Sequence, residues 1–403
     1  MKQDGTVGID AFRTNASPTT DVSSPRIEPG TDGVDIAWPG GQRSRHLYYW
    51  LRENCHCPKC THQDAWERTV DFLSIPLDIA PASLSADPGG LRIEWGSHDA
   101  PCDGSFFSWA WLDAHRMERG ARLRRKRRSS AWISSESDKR AMSVDFARAM
   151  TSDAGLLELL EHVEDKGVAL VTGLPAEDLI VLALAERIAL IEGSHFGRHF
   201  DVESKPDAEN LAYTSHRLYP HNDLPSRRFP PGIQFLHCLQ NDATGGDSVL
   251  VDGIACARAL RQSDPAAFEL LSTRAVTFTS IADDWDIVNR APVIDVDEDG
   301  DILGTRLHPA LIGPVDIEPE SQMAFYRAHR ALLGIASSDE IQFRFRLDAG
   351  ECQVFDNHRV MHARLGFDPA SGRRLLQGCY VCRDDFVSRL ALLRREGRDF
   401  RKT

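Results

Sequence analysis

The sequence predicts a mainly β fold with flanking helices, in which a double-stranded β-helix (jelly-roll) fills the larger part and a small β-rich domain precedes it. Three observations carry this. From about residue 30 to about 118, short segments such as Gly33-Val34-Asp35-Ile36-Ala37-Trp38 and Leu91-Arg92-Ile93-Glu94-Trp95 alternate and are separated by Gly, Pro and Asp, the pattern of short strands. Next, Leu156-Leu157-Glu158-Leu159-Leu160-Glu161-His162-Val163 carries helical periodicity, Gly167-Val168-Ala169-Leu170-Val171-Thr172-Gly173 reads as a buried strand, and Ile180 to Ile191 returns to a helix. Past His221 the chain turns to short strands with Gly and Pro punctuation, which suits a jelly-roll.

A length of 403 residues suits two domains, or one large domain with an appendage. Residues 1–27 read as a disordered tail, because the stretch to about Ser24 is rich in Thr, Ser, Asp and Gly. Residues 28–118 form the β-rich domain. Residues 119–140 read as a basic and polar linker, where Arg122-Leu123-Arg124-Arg125-Lys126-Arg127-Arg128 runs into Ser129-Ser130 and Ser134-Ser135-Glu136-Ser137. Residues 141–403 form the larger domain.

Composition excludes several classes. No run approaches the roughly 18 apolar residues of a membrane span, and the start, Met1-Lys2-Gln3-Asp4-Gly5, lacks an apolar signal core, so secretion is not expected. Nine cysteines is an odd number, and three crowd into Cys55, Cys57 and Cys60, which fits metal ligation in a reducing cytoplasm better than a disulfide framework. A net charge of −13 disfavours generic binding to nucleic acid and suits a cationic substrate. The basic run 122–128 leaves a nucleic-acid patch or localisation signal as the alternative to a solvated linker. The chain has no dinucleotide or P-loop signature and no Gly-x-Ser-x-Gly nucleophile elbow.

Two groups of residues carry chemistry. Cys55-His56-Cys57-Pro58-Lys59-Cys60 brings three soft thiolates into one tight turn and leaves a tetrahedral zinc one ligand short. His56 is awkwardly interleaved and His62 is a second option for the missing donor. Farther on, His221-Asn222-Asp223 puts a histidine and a carboxylate at i and i+2, on one side of an extended segment. With His362, from Asn357-His358-Arg359-Val360-Met361-His362-Ala363-Arg364, this is the two-histidine, one-carboxylate set that closes one face of an iron(II) ion and leaves the other face for a co-substrate and dioxygen.

The surrounding segments make the pattern specific. Pro230-Pro231-Gly232-Ile233-Gln234-Phe235-Leu236-His237-Cys238 is followed by Gly245-Gly246-Asp247-Ser248 and Val251-Asp252-Gly253, and then by the His362 segment. From about residue 30 almost to the C-terminus the chain resembles the gamma-butyrobetaine and trimethyllysine hydroxylases, 2-oxoglutarate-dependent dioxygenases of the carnitine pathway. The resemblance implies a TauD-like catalytic domain and an N-terminal zinc domain whose fourth ligand, after a strand ending in Trp, is His98. It implies Arg374, before Leu375-Leu376-Gln377-Gly378-Cys379-Tyr380, as the partner of the distal carboxylate of 2-oxoglutarate, with adjacent Arg373 as fallback and Ser248 as a further donor.

The resemblance also implies an aromatic cage for a quaternary ammonium group, formed by Phe196, Phe200, Tyr213 and Tyr380, with Asn210 at the carboxylate end. Phe196 and Phe200, spaced i and i+4, also fit plain core packing. Thr305-Arg306-Leu307-His308-Pro309 stands where those enzymes carry further asparagines, which implies a more basic pocket or a different surface loop. A retained Asp223 favours hydroxylation over halogenation. The leading expectation is hydroxylation of gamma-butyrobetaine to carnitine with Fe(II), 2-oxoglutarate and O2, ascorbate as reductant and a homodimeric enzyme. Alternatives are a trimethylammonioethylphosphonate or trimethyllysine hydroxylase, a non-catalytic metal-binding jelly-roll module, and a protein or nucleic-acid demethylase using the basic run.

Overall fold

The computed structural model describes residues 24–96, 102, 104–126, 130–204 and 213–395. His98, Asn210, Arg127, Arg128 and most of the expected N-terminal tail lie outside these residues. The chain divides into two compact units, one running to Arg127 and the other starting at Arg128. No helix among the described residues is long and apolar enough to cross a membrane.

The first unit contains two three-stranded antiparallel sheets. One orders Arg26–Pro29, Gly33–Ala37 and Arg43–Leu47; the other orders Pro81–Asp87, Gly90–Trp95 and Gly104–Ser108. Alternation along the strands puts Val34, Ile36, Leu91, Ile93, Trp95 and Phe107 into one core with Tyr48 and Leu51 of the helix Tyr48–Glu53.

The second unit is built on two sheets. The larger orders Ser143–Asp145, Val168–Thr172, Glu351–Asp356, Ile233–Asn241, Arg374–Val381 and Phe200–Glu203. The smaller orders Leu218–His221, Val360–Arg364, Ser248–Asp252 and Phe343–Phe345. Period-two alternation assigns each side chain to a layer. Ile233 and Phe235 face the helices Asp153–Lys166 and Arg383–Arg395, while Leu236 and Cys238 join Leu250, Phe343, Phe355 and Val360 in the core between the sheets. Val249, Val251, Met361 and Ala363 point outward onto the helices Gly253–Ser263, Pro265–Thr273 and Pro319–Ala336. This is the expected jelly-roll with flanking helices.

The stretch expected as a linker contains structure. A helix occupies Arg119–Arg125, and Trp132 is 1% exposed, its backbone N–H donating to Asp252 and its indole to the Lys166 carbonyl. The composition around it is polar, so the single tryptophan that anchors it is outvoted in any window average. Asp252 is fully buried and pairs with Arg359 at 2.9 Å, while Arg359 also donates to the carbonyls of Asp165 and Ser130. Removing one partner of a buried ion pair strands the other charge. Asp252→Ala is therefore expected to lower unfolding stability by about 3–5 kcal/mol, read from the midpoint of a urea titration; an unchanged midpoint would contradict the assignment.

Candidate active site and a second metal cluster

His221 ends its strand directly opposite His362 in the neighbouring strand, and Asp223 follows two residues on. The ring nitrogens and one carboxylate oxygen lie within 4.8 Å of one another. Asp223 Oδ1 is 3.5 Å from His221 Nε2 and 3.7 Å from His362 Nε2. The Tyr219 carbonyl oxygen lies 2.8 Å from His221 Nδ1, which fixes the proton there and leaves the Nε2 lone pair facing inward. The other carboxylate oxygen, Oδ2, accepts from Gln234 Nε2 at 2.8 Å and from the Tyr380 hydroxyl at 2.7 Å. Thus Oδ2 is tied to the protein and Oδ1 is presented to the same point as the two imidazoles.

The backbone here is held from outside the strand. Asn222 points away from the cluster, accepting from the Thr305 hydroxyl and Leu307 N–H and donating to the Asn357 carbonyl. Asn357 accepts from Asp223 N–H and donates to the carbonyls of Asp223 and Pro231. Leu224, buried, then takes φ +53, the left-handed region that a branched side chain rarely adopts.

Electrostatics suits a metal. Burial, with the neighbouring His221 ring, pulls His362 down to about 3, so it is neutral and able to ligate at pH 7. Burial works to raise Asp223, but His362, His221 and the Tyr380 hydroxyl outweigh it and hold the carboxyl well below the usual range. Two imidazoles and a carboxylate with an uncovered side can hold iron(II) with room for further ligands.

Arg374 begins its strand opposite Asn241 and is 4% exposed. It has no ion pair or side-chain hydrogen bond among the described residues, and its Nε is buried without a partner. Burial pulls this guanidinium down to about 10. A buried unpaired cation is costly unless an anion joins it, and a guanidinium fork matches a carboxylate. Gly246, at φ +72, leaves space that a Cβ would fill, 3.2 Å from Arg374 Cδ and Nε. Arg373 points the other way and pairs with half-buried Glu203 at 2.6 Å. Ser248 is buried and registers with Arg364.

The cage candidates fall in a row. The rings of Phe200 and Tyr380 are 5.2 Å apart and those of Phe196 and Phe200 6.2 Å apart. Tyr213 lies close enough to act electrostatically on Tyr380. Gly378 registers with Phe200, and a Cβ there would come within 2.5 Å of that ring. Phe196 sits in a turn and Phe200 opens a strand, so the two do not share a helix face.

Sequence reasoning missed Gln234, Asn357, His308 and the pair His195 and Trp285 as neighbours of the site. Gln234 was readable in principle, because it shares strand parity with inward-facing Leu236 and Cys238. His308 lies beside His221, ring centroids 4.8 Å apart, and burial followed by the His221 charge lowers it to about 3.

A second cluster lies in the first unit. Cys55, Cys57, Cys60 and Cys102 bring four thiols within 4.8 Å, with Cys55 Sγ and Cys102 Sγ 3.8 Å apart. The sequence reading assigned the fourth position to His98, outside the described residues; the described fourth donor is Cys102. His62 instead accepts from the backbone N–H groups of Asp64 and Ala65, and His56 packs on Phe107 and Trp111. Burial raises Cys60 to about 11 and raises Cys102 further, so without a cation these two thiols stay protonated. Arg52, fully buried, donates to Cys60 Sγ at 3.4 Å. Four thiols around one point fit a closed tetrahedral zinc site, with Arg52 offsetting its excess negative charge.

The chain matches the family described as taurine catabolism dioxygenase TauD, TfdA over residues 127–380, and the gamma-butyrobetaine hydroxylase-like N-terminal family over 26–113. It is 39% identical over 370 residues to a gamma-butyrobetaine dioxygenase of Pseudomonas sp. (strain AK-1), covering 90% of this chain and 94% of that one. It is 29% identical to a trimethyllysine dioxygenase of Meyerozyma guilliermondii over 90% of this chain and 94% of that one. Against the Homo sapiens gamma-butyrobetaine dioxygenase the identity is 28%, covering 91% and 95%.

Two outcomes follow from these geometries. Tyr380→Phe keeps the ring but frees Asp223 Oδ2, so Fe(II) affinity should fall about tenfold in anaerobic titration; unchanged affinity would mean that the hydroxyl does not orient the carboxylate. Cys102→Ser should strip zinc from the purified protein, whereas His98→Ala should leave zinc content unaltered, both read by elemental analysis.

Proposed function

The chain belongs to the taurine catabolism dioxygenase TauD, TfdA family, and on that footing we propose that it is an iron(II)- and 2-oxoglutarate-dependent hydroxylase converting gamma-butyrobetaine to carnitine. The observation that carries the chemistry is the buried set of His221, Asp223 and His362, with Asp223 fixed so that one oxygen meets both imidazoles. Iron(II) with 2-oxoglutarate, when bound, supplies the oxidising power that places one oxygen atom of O2 on a C–H carbon while the co-substrate loses CO2 to become succinate.

The protein's own residues hold and orient. His221, Asp223 and His362 would hold the ion from one side. The Arg374 guanidinium, buried with no anionic partner among the described residues, would receive the distal carboxylate of 2-oxoglutarate. The row from Tyr380 through Phe200 to Phe196 offers π faces to a group that cannot donate hydrogen bonds, which supports a trimethylammonium head. Because Tyr380 also touches Asp223, that row begins beside the residues that would hold the metal, where the bond to be hydroxylated would have to lie.

The loop 305–309 bears on the choice between carboxylate and phosphonate substrates. Arg306 pairs with Asp295 at 3.2 Å, and the same carboxylate meets His358 Nε2 at 2.6 Å. The loop's cation is thus already ion-paired, although its Nη1 is buried without a hydrogen-bond partner among the described residues; the pairing supports a monoanionic carboxylate over a phosphonate. Zinc at Cys55, Cys57, Cys60 and Cys102 has no open position and is structural in this reading.

The test is a comparison of substrates. Protein prepared anaerobically with Fe(II), 2-oxoglutarate and ascorbate is exposed to O2 with gamma-butyrobetaine, trimethyllysine or trimethylammonioethylphosphonate, and succinate and hydroxylated product are followed by mass spectrometry. Gamma-butyrobetaine is expected to give stoichiometric product and succinate. Product from the phosphonate alone would overturn the substrate, and no iron-dependent succinate under any condition would overturn the chemistry.

A further inference from the structure

The antiparallel hairpin Val276–Ala282 and Trp285–Ala291 keeps register from Val276 opposite Ala291 to Ala282 opposite Trp285, so Asp283 and Asp284 form its tip. Its base is anchored, with Val276 and Phe278 fully buried in the helix-side core. Its outer half is not: Ile281, Ala282, Asp283, Asp284, Asp286 and Val288 are all exposed. A tryptophan at such a tip has no core of its own to fill.

Trp285 is directed elsewhere. Its ring lies 4.5 Å from His195 and 5.9 Å from Phe196, the latter at an interplanar angle of 77°. The indole N–H donates to Ser280 Oγ at 3.1 Å across the hairpin, which fixes its orientation. Asn289 donates to the carbonyls of Pro225 and Arg227, tying the hairpin to the segment just after Asp223 and Leu224. Both nitrogens of His195 are buried without hydrogen-bond partners, so this imidazole contributes a face rather than a donor or acceptor. Burial, then the charge of Arg227, lowers its pKa from the usual imidazole value.

We infer that Trp285 is the outer wall of the cation pocket and the residue that makes the pocket discriminate charge, standing nearly perpendicular to Phe196 at the far end of the row from Asp223. The inference rests on the substrate reading above and deepens it. Tryptophan has the strongest cation-binding face of the aromatic side chains and phenylalanine a weaker one. Phe196 and Phe200 therefore attract the cation more weakly, while Trp285 supplies the stronger face at the outer end. Asp283, Asp284 and Asp286 surround Trp285 along the chain and make the tip negative, which draws a cation toward the mouth.

The test compares gamma-butyrobetaine with 5,5-dimethylhexanoate, in which an uncharged carbon replaces the quaternary nitrogen. Binding of each to the anaerobic Fe(II)–2-oxoglutarate enzyme is measured for wild type, Trp285→Leu and Trp285→Phe, after Fe(II) and 2-oxoglutarate affinities show each variant intact. Trp285→Leu is expected to weaken gamma-butyrobetaine about tenfold while weakening the uncharged isostere less than about threefold. Trp285→Phe should fall between. Equal losses for both ligands, or no loss for either, would overturn the inference while leaving the substrate reading standing. A wild type that binds neither better than the other, yet forms iron-dependent succinate, would overturn the substrate reading and the inference with it.

Discussion

Asn222 and Asn357 interlock, and the rest of the site depends on them. Both are buried, and between them they satisfy the N–H and carbonyl of Asp223, the carbonyl of Pro231, the N–H of Leu307 and the hydroxyl of Thr305. Three separate segments are thereby laced at one point: the turn after His221, the hairpin leading to His362, and the loop that brings His308 beside His221. The left-handed Leu224 opposes this arrangement by about 1–3 kcal/mol. Each buried group left unsatisfied would cost about 1–3 kcal/mol, so the network outweighs the strain and the carboxylate stays where the imidazoles converge.

Buried charge in this chain divides into two kinds, and the division separates architecture from chemistry. Arg359 is buried and fully engaged, with Asp252 and two backbone carbonyls, and it closes the joint between the sheets and the segment around Trp132. Arg374 is buried to a similar degree, lies over the Phe367 ring at 6.0 Å, and has no ion pair or side-chain hydrogen bond among the described residues. A fold gains nothing from an uncompensated guanidinium, so the second arrangement makes sense only with an anion to complete it. The thiol cluster follows the same logic with the sign reversed: burial pushes Cys60 up to about 11, and only a cation makes four adjacent thiolates stable.

Much of this was legible in the sequence, and the limits are physical. Two-residue alternation separates Arg373 from Arg374, because a strand start must send one outward to Glu203 and the other inward. The same rule places His221 and Asp223 together, although only His221 lies within the strand and the asparagine network does the rest. Cys102 was not legible as a ligand, since it stands far from Cys60 in the chain and only the folded sheets bring the two together. Trp285 was invisible for the same reason: a tryptophan beside a hairpin turn reads as ordinary strand composition until the hairpin is seen to carry it to His195. Phe196 and Phe200 show the opposite error, where a helical spacing occurs without a helix.

The two ends of the aromatic row are held by different means, and this has a consequence for specificity. At the inner end, Phe200 lies against the backbone of Gly378, whose missing Cβ sets how closely the ring approaches, and Tyr380 is tethered to Asp223. Any change there propagates to the metal ligand. At the outer end, Phe196, His195 and Trp285 meet through side chains alone, one of them delivered by a hairpin whose outer strands carry no core. Side-chain contacts at an exposed tip can be exchanged with little effect on the jelly-roll. Relatives named for gamma-butyrobetaine and for trimethyllysine each align with this chain over 90% of its length. Under the proposed function, a scaffold that fixes Asp223 and Phe200 through backbone and leaves the outer end of the row to a hairpin would let that end vary without disturbing the residues at the inner end.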